Sequence, residues 1–93
     1  MPIISWNRAK SARNVAMGRP ALSRFREMDL ATAVTMASPR DGEDRWKVVG
    51  YLDGRLYVAI ILMMPNRFHV ISLRDASRKE RREYAARASH RPR

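Results

Sequence analysis

The sequence predicts an α+β fold: an antiparallel three-strand meander plus a candidate N-terminal strand, with two N-terminal helices and one C-terminal helix. Three observations predict it. "RWKVVGYL" is followed by "DG" and then by "RLYVAIILMM". An Asp-Gly pair between β-rich runs favours a two-residue hairpin, because both turn positions want positive φ. The second run is apolar at nearly every position, the mark of a central strand covered on both faces. Finally, Ser77 and Glu80 have the spacing of a capping box, which opens a helix over about 78–88.

The remaining elements follow in order. "PIISW" (2–6) is apolar and partly β-branched, a short strand candidate. Asn7 can cap a helix over roughly 8–16, with Gly18 as its stop and Pro20 forbidding continuation. Its few, small apolar residues place that helix on a surface. Asp29 can cap a second helix over 30–37, where Leu30, Ala33, Val34 and Ala37 follow i, i+3, i+4, i+7. "SPRDGED" (38–44) reads as a loop. Strands 46–52 and 55–64 are expected to pair across Asp53-Gly54. "PN" (65–66) makes another tight turn, and "RFHVISL" (67–73) is the third strand of the meander. On the C-terminal helix Tyr84 and Ala88 are the best apolar contacts, and the tail 89–93 is expected to fray. A chain of 93 residues is expected to form a single domain, 1–93, with one modest core.

Charge narrows the class. Lys and Arg total 19 against 9 Asp and Glu, a net charge of +10. Such an excess calls for a polyanionic partner or an acidic protein that masks it. Arg far outnumbers Lys, and its planar fork grips phosphate with two hydrogen bonds. There is no Cys, which excludes disulfides, thiolate metal sites and Cys nucleophiles. The opening "MPIISWNRAK" lacks the long apolar run of a signal peptide, and "LYVAIILMM" is too short to span a bilayer. A cytoplasmic protein is expected.

Chemistry concentrates near the C-terminus. "SLRDASRKERREY" (72–84) carries four Arg and one Lys. Arg74 sits where the third strand ends, so Arg74, Arg78 and Arg82 are candidates to surround one phosphate. Solvated charges on an exposed helix are the plainer alternative. Arg45 and Lys47 open the first hairpin strand, near Arg67 across the sheet. His69 is one of two histidines and a candidate general acid or base, since imidazoles titrate near neutrality. One such His, no Cys and scattered carboxylates make no metal-ligand cluster. No glycine-rich phosphate loop is present.

These residues also carry a resemblance. "GEDR" (42–45), "GRLYV" and "HVISLRDASRKERREY" resemble the BrnT family of ribonuclease toxins from bacterial type II toxin–antitoxin systems. The last piece is similar to the family's Ile-Ser-x-Arg-x-Ala pattern, its Ser/Thr cap, its Glu and its closing Tyr. Here these are Ile71, Ser72, Arg74, Ala76, Ser77, Glu80 and Tyr84. At the other end Trp6, Lys10 and Asn14 match the family's opening pattern. Asn7 stands where Asp is usual, and "VAMGRPALSR" (15–24) replaces the family's Lys-His-Gly segment.

The resemblance implies a RelE-like fold and metal-independent RNA cleavage that blocks translation, with no cofactor. It implies a BrnA-like ribbon-helix-helix antitoxin as partner, with operator DNA bound only through that antitoxin. For such cleavage Arg74 and Arg78 are the candidates to offset charge developing on the phosphoryl oxygens. Arg45, Arg67 and Arg82 are candidates to hold the RNA backbone. Lys47, His69 and Glu43 are candidates for proton transfer. The alternative is a non-catalytic basic domain that binds nucleic acid or an acidic protein.

Overall fold

The computed structural model describes residues 3–38 and 42–89. In chain order it contains β1 (Ile3–Trp6), α1 (Arg8–Ala16), a 3-10 helix (Leu22–Glu27), β2 (Val34–Ala37), β3 (Arg45–Leu52), β4 (Arg55–Met64), β5 (Arg67–Asp75) and α2 (Arg78–Ser89). The strands form one five-stranded sheet in the order β1-β5-β4-β3-β2. The predicted meander is its centre. β3 pairs with β4 from Arg45↔Leu62 to Leu52↔Arg55, and β4 pairs with β5, both antiparallel. Asp53 and Gly54 have φ of 51° and 75°, the doubly positive turn that the Asp-Gly pair predicts.

The sheet is larger than predicted and mixed. β1 joins the outer side of β5 in parallel, with Ile3 opposite Arg67 and Trp6 opposite Val70. The predicted helix over 30–37 does not form. Residues 34–37 are instead the edge strand β2, antiparallel to β3. Val34 and Thr35 are β-branched, and the outer edge of β3 needs backbone partners. Asp29 does make a cap-like turn: its carboxylate accepts from Ala31 N–H at 3.1 Å and from the Thr32 hydroxyl at 2.8 Å. The turn feeds a strand, not a helix. The second helical piece lies earlier, as the 3-10 helix, whose Leu22 and Phe25 are fully buried. Of the other predicted positions, Pro2, the loop residues 39–41 and the tail from 90 to 93 lie outside the described residues.

Two apolar clusters sit on opposite faces of the sheet. On one face the 3-10 helix packs Leu22 and Phe25, followed by Met28, over Val48, Ala59, Ile61, Val70 and Leu73. α1 lies beside it as a surface helix and buries two polar side chains, Ser11 and Asn14. Ser11 Oγ accepts from Leu22 N–H, while Asn14 Nδ2 donates to the carbonyls of Pro20 and Leu73. On the other face α2 lays Tyr84 and Ala88 against Val34, Val49, Leu56 and Val58. Tyr84 also meets the Tyr51 ring edge-on at 5.6 Å and donates to Thr32 O.

Gly50 is what lets the chain after the 3-10 helix cross β3 closely. A Cβ there would stand 3.0 Å from Met28 Sδ and 3.1 Å from Ala33 Cβ. Gly50→Val should therefore destabilise the protein by about 1–3 kcal/mol through overpacking. A urea melt that shows unchanged stability would reject this account of the crossing.

Candidate functional site

A strand normally turns successive side chains to opposite faces. By that rule Arg74 and His69, five residues apart on β5, would point apart. A β-bulge changes this. Ile60 of β4 pairs with Ser72, and Ile61 pairs with Val70, so Ile71 is an extra residue. Residues 67 and 69 before the bulge thus share a face with 72 and 74 after it. Arg74 stands opposite Val58, and His69 opposite Leu62, on the α2 side of the sheet.

Lys47 and Arg45 occupy the same face, opposite Ile60 and Leu62 across the β3–β4 pair. α2 covers only the hairpin end of this face, where Val49, Leu56 and Val58 are fully buried. Beyond it Met36, Ile60, Leu62, Ser72 and His69 are half-buried. The uncovered half is an apolar strip bordered by Lys47, Arg45, Arg67 and Arg74.

One cluster holds the centre of this surface. The Arg74 guanidinium makes a two-pronged pair with Glu80, at 2.7 Å to Oε1 and 2.9 Å to Oε2. Lys47 Nζ stands 3.0 Å from the same Oε2. Glu80 is 5% exposed, yet its carboxylate also accepts from Ser77 N–H at 2.9 Å, and Ser77 Oγ returns the bond to Glu80 N–H. The predicted capping box therefore forms. Two amides of the first turn are satisfied inside the chain and are not open to an anion.

The Arg74 hydrogen bonds are the largest cause holding the Glu80 carboxyl far below the usual carboxylate range. Burial opposes the shift, and the Ser77 and Lys47 contacts add to it. The pairing with Glu80 in turn raises Arg74. Two cations and one anion leave the cluster a net charge of +1.

The other candidates lie around it. Arg45 pairs with Glu43 at 2.9 Å, and its Nε is buried without a hydrogen-bond partner among the described residues. His69 Nδ1 lies 2.9 Å from Ser5 Oγ on β1. Arg67 is exposed where β5 begins. Arg78 and Arg82 are exposed on α2. Helical spacing from the buried Glu80 and Tyr84 puts Arg82 on the side away from the sheet, apart from Arg74. So the structure brings together Arg74 and Lys47, sets Arg45, Glu43, His69 and Arg67 farther along the same face, and leaves Arg82 outside. Among the described residues, no three His, Cys, Asp or Glu side chains are placed to share a metal ion.

A family model described as "Ribonuclease toxin, BrnT, of type II toxin-antitoxin system" matches residues 6–80. The chain belongs to the BrnT family. Membership implies a ribonuclease toxin with an antitoxin partner. No curated protein and no solved structure matches the chain. The matched span of this BrnT chain runs from Trp6 on β1 to Glu80, so it ends on the residue that organises Arg74 and Lys47. No helix of the described residues is long and apolar enough to cross a membrane.

Sequence reasoning finds the cations but misses the residues that place them. Glu80 reads as a cap, and the cap spacing says nothing of Arg74 or Lys47. Ser5 carries no signal at all until β1 is set beside β5. Both follow from strand register, which one sequence does not state.

Glu80 supplies a prediction. Its carboxyl is depressed in the folded state, so the stability it contributes is present above the unfolded value near 4.3 and is lost as pH falls below it. Wild-type stability should decline from about pH 5 downward, and Glu80→Gln should lack that part of the decline. At pH 7 Glu80→Gln should cost about 2 kcal/mol, the low end for a broken buried pair because Arg74 and Lys47 stay partly in water. Parallel acid profiles of the two proteins by urea melts would contradict this.

Proposed function

We propose that this BrnT chain is a metal-independent endoribonuclease toxin that acts in the cytoplasm and blocks translation. A BrnA-like ribbon-helix-helix antitoxin neutralises it, and operator DNA is engaged only through that antitoxin. The observation that carries the proposal is the uncovered half of the α2 face, where Lys47, Arg74, Arg45, His69 and Arg67 surround one strip. A single-stranded RNA suits such a surface: its phosphates take the cations and its bases take the apolar floor of Ile60, Leu62 and Met36.

The reaction is attack of the RNA 2′-hydroxyl on the adjacent phosphorus, with loss of the 5′-oxygen. Fixed cations offset the charge that develops on the phosphoryl oxygens, which is the service a metal ion would otherwise supply. Arg74 is held for this role by Glu80, with Lys47 beside it. Arg78, at the first turn of α2, adds positive charge from the exposed side. Arg45, paired with Glu43, adds charge toward a neighbouring phosphate. An acidic antitoxin segment would meet the same surface, since a net charge of +10 favours an anionic cover.

One observation favours a second reading, a binding module without cleavage. Both ends of the Arg74 guanidinium are occupied by Glu80, and "VAMGRPALSR" stands where the family has Lys-His-Gly. Purified protein with total RNA and chelator separates the two. Cleavage that survives chelator supports the toxin; retardation without cleavage supports the binding module. Arg78→Ala should lower cleavage on the order of 10²-fold with the fold retained; Arg74→Ala should lower it as much and also reduce stability, since it leaves Glu80 without its main partner. Arg87→Ala should change it little. Full activity in both folded variants would reduce the segment to a solvated helix.

A further inference from the structure

One strand-to-strand contact has no role in the packing of either core. Ser5 and His69 stand directly opposite each other in the parallel β1–β5 pair, with Ser5 Oγ 2.9 Å from His69 Nδ1. Both are half-buried. Their row continues across the sheet through Leu62 to Arg45. Adjacent strands lie about 4.8 Å apart, so Arg45 and His69 are separated by about 10 Å at the backbone, a span that two side chains and one phosphate can bridge. The imidazole therefore opens on the same surface as the cations, with one nitrogen already engaged.

We infer that Ser5 and His69 form the proton-accepting pair of the nuclease: Nδ1–H donates to Ser5 Oγ, which leaves the Nε2 lone pair for the RNA 2′-hydroxyl. The inference rests on the ribonuclease reading and deepens it. A histidine must be held in one tautomer to act as a base, and the hydrogen bond on its other nitrogen is what holds it. A serine hydroxyl suits this duty in both charge states. Its oxygen accepts from Nδ1–H when the ring is neutral and continues to accept when Nε2 is protonated.

The step balances without a metal or a cofactor. The 2′-hydroxyl proton passes to Nε2, the O2′–P bond forms, and the P–O5′ bond breaks. The departing 5′-oxygen takes a proton from solvent water, and the imidazolium then returns its own to solvent. The products are a 2′,3′-cyclic phosphate and a 5′-hydroxyl. Ser5 touches neither the phosphorus nor the reacting oxygens; it is a positioning residue, and His69 is the catalytic one.

The charged groups around the ring are cations with one carboxylate. Arg67 precedes it on β5, Arg45 lies across β4 with Glu43 at its side, and Arg8 lines the cleft beside Ser5. The β1 residues that pair with β5, Ile3 to Trp6, bring no charge.

The test is cleavage of a mixed-sequence RNA oligonucleotide in chelator by the full chain, from pH 5 to pH 9. Wild-type rates should rise through the neutral range in which imidazoles titrate and then level off. His69→Gln should lose on the order of 10²-fold and flatten the profile. Ser5→Ala should lose about tenfold and shift the midpoint, and Ser5→Thr, which keeps the hydroxyl, should restore both. Thermal melts should be unchanged in all three variants, and RNA retardation should be unchanged in the two Ser5 variants. Nitrogen NMR of wild type at high pH should show the proton on Nδ1.

Wild-type cleavage that His69→Gln or Ser5→Ala leaves untouched in rate and pH profile would overturn the pair while the nuclease reading stands. So would a proton found on Nε2. A wild-type protein that binds the oligonucleotide but never cleaves it would overturn the nuclease reading, and the pair with it.

Discussion

The contact of the Glu80 carboxylate with Arg74 and Lys47 joins the fold of this protein to its surface. Three elements meet there: β5 through Arg74, β3 through Lys47 and α2 through Glu80 itself. Two like charges on the strands that flank β4 repel, and a short chain has little core with which to offset that cost. One buried carboxylate removes the repulsion and also starts the helix. Its hydrogen bonds with Ser77 close the capping box, so α2 begins where the ion pairs fix it. The burial of Tyr84 one turn later follows from that start.

The helix so placed does not cover the face it lies on. α2 has 12 residues and so is about 18 Å long, while the 10 residues of β4 reach about 33 Å. The buried apolar residues beneath it, Val34, Val49, Leu56 and Val58, lie toward the hairpin end, with half-buried Met36 and Ile60 at their margin. On the opposite face the 3-10 helix brings Leu22 and Phe25, followed by Met28, over the middle of the sheet, with Trp46, Met63 and Phe68 half-buried at the margin. Both faces thus have a buried centre and half-buried margins, and charge is what distinguishes them. On the α2 side the paired rows of β3, β4 and β5 end in Arg45, Lys47, Arg67 and Arg74.

What the sequence made legible was local. The Asp53-Gly54 turn, the central β4, the Asn7 cap of α1 and the Ser77–Glu80 box each depend on a few adjacent residues, and each forms. The failures involve partners distant in the chain. Residues 30–37 carry helical spacing, but the free edge of β3 makes a strand of 34–37. The 3-10 helix has too little apolar periodicity to announce itself, since it buries chiefly Leu22 and Phe25. At the site, the cations were visible as composition and their grouping was not. Alternation along β5 would have sent His69 and Arg74 to opposite faces, and only the extra residue Ile71 reconciles them.

That bulge changes how the two halves of β5 relate. Val70 and Leu73 are three residues apart, yet both enter the core under the 3-10 helix. In a regular strand one of them would be turned to the other face, and the core would lose a fully buried side chain, about 1.5–3 kcal/mol of burial. Apolar packing alone is therefore sufficient reason for the extra residue. The same shift turns His69 and Arg67 toward Arg74 without any interaction among the three. A requirement of the core, satisfied on one side of the sheet, sets which polar side chains meet on the other. The candidate site is thus a consequence of register, and its geometry is as firm as the packing of Val70 and Leu73 beneath it.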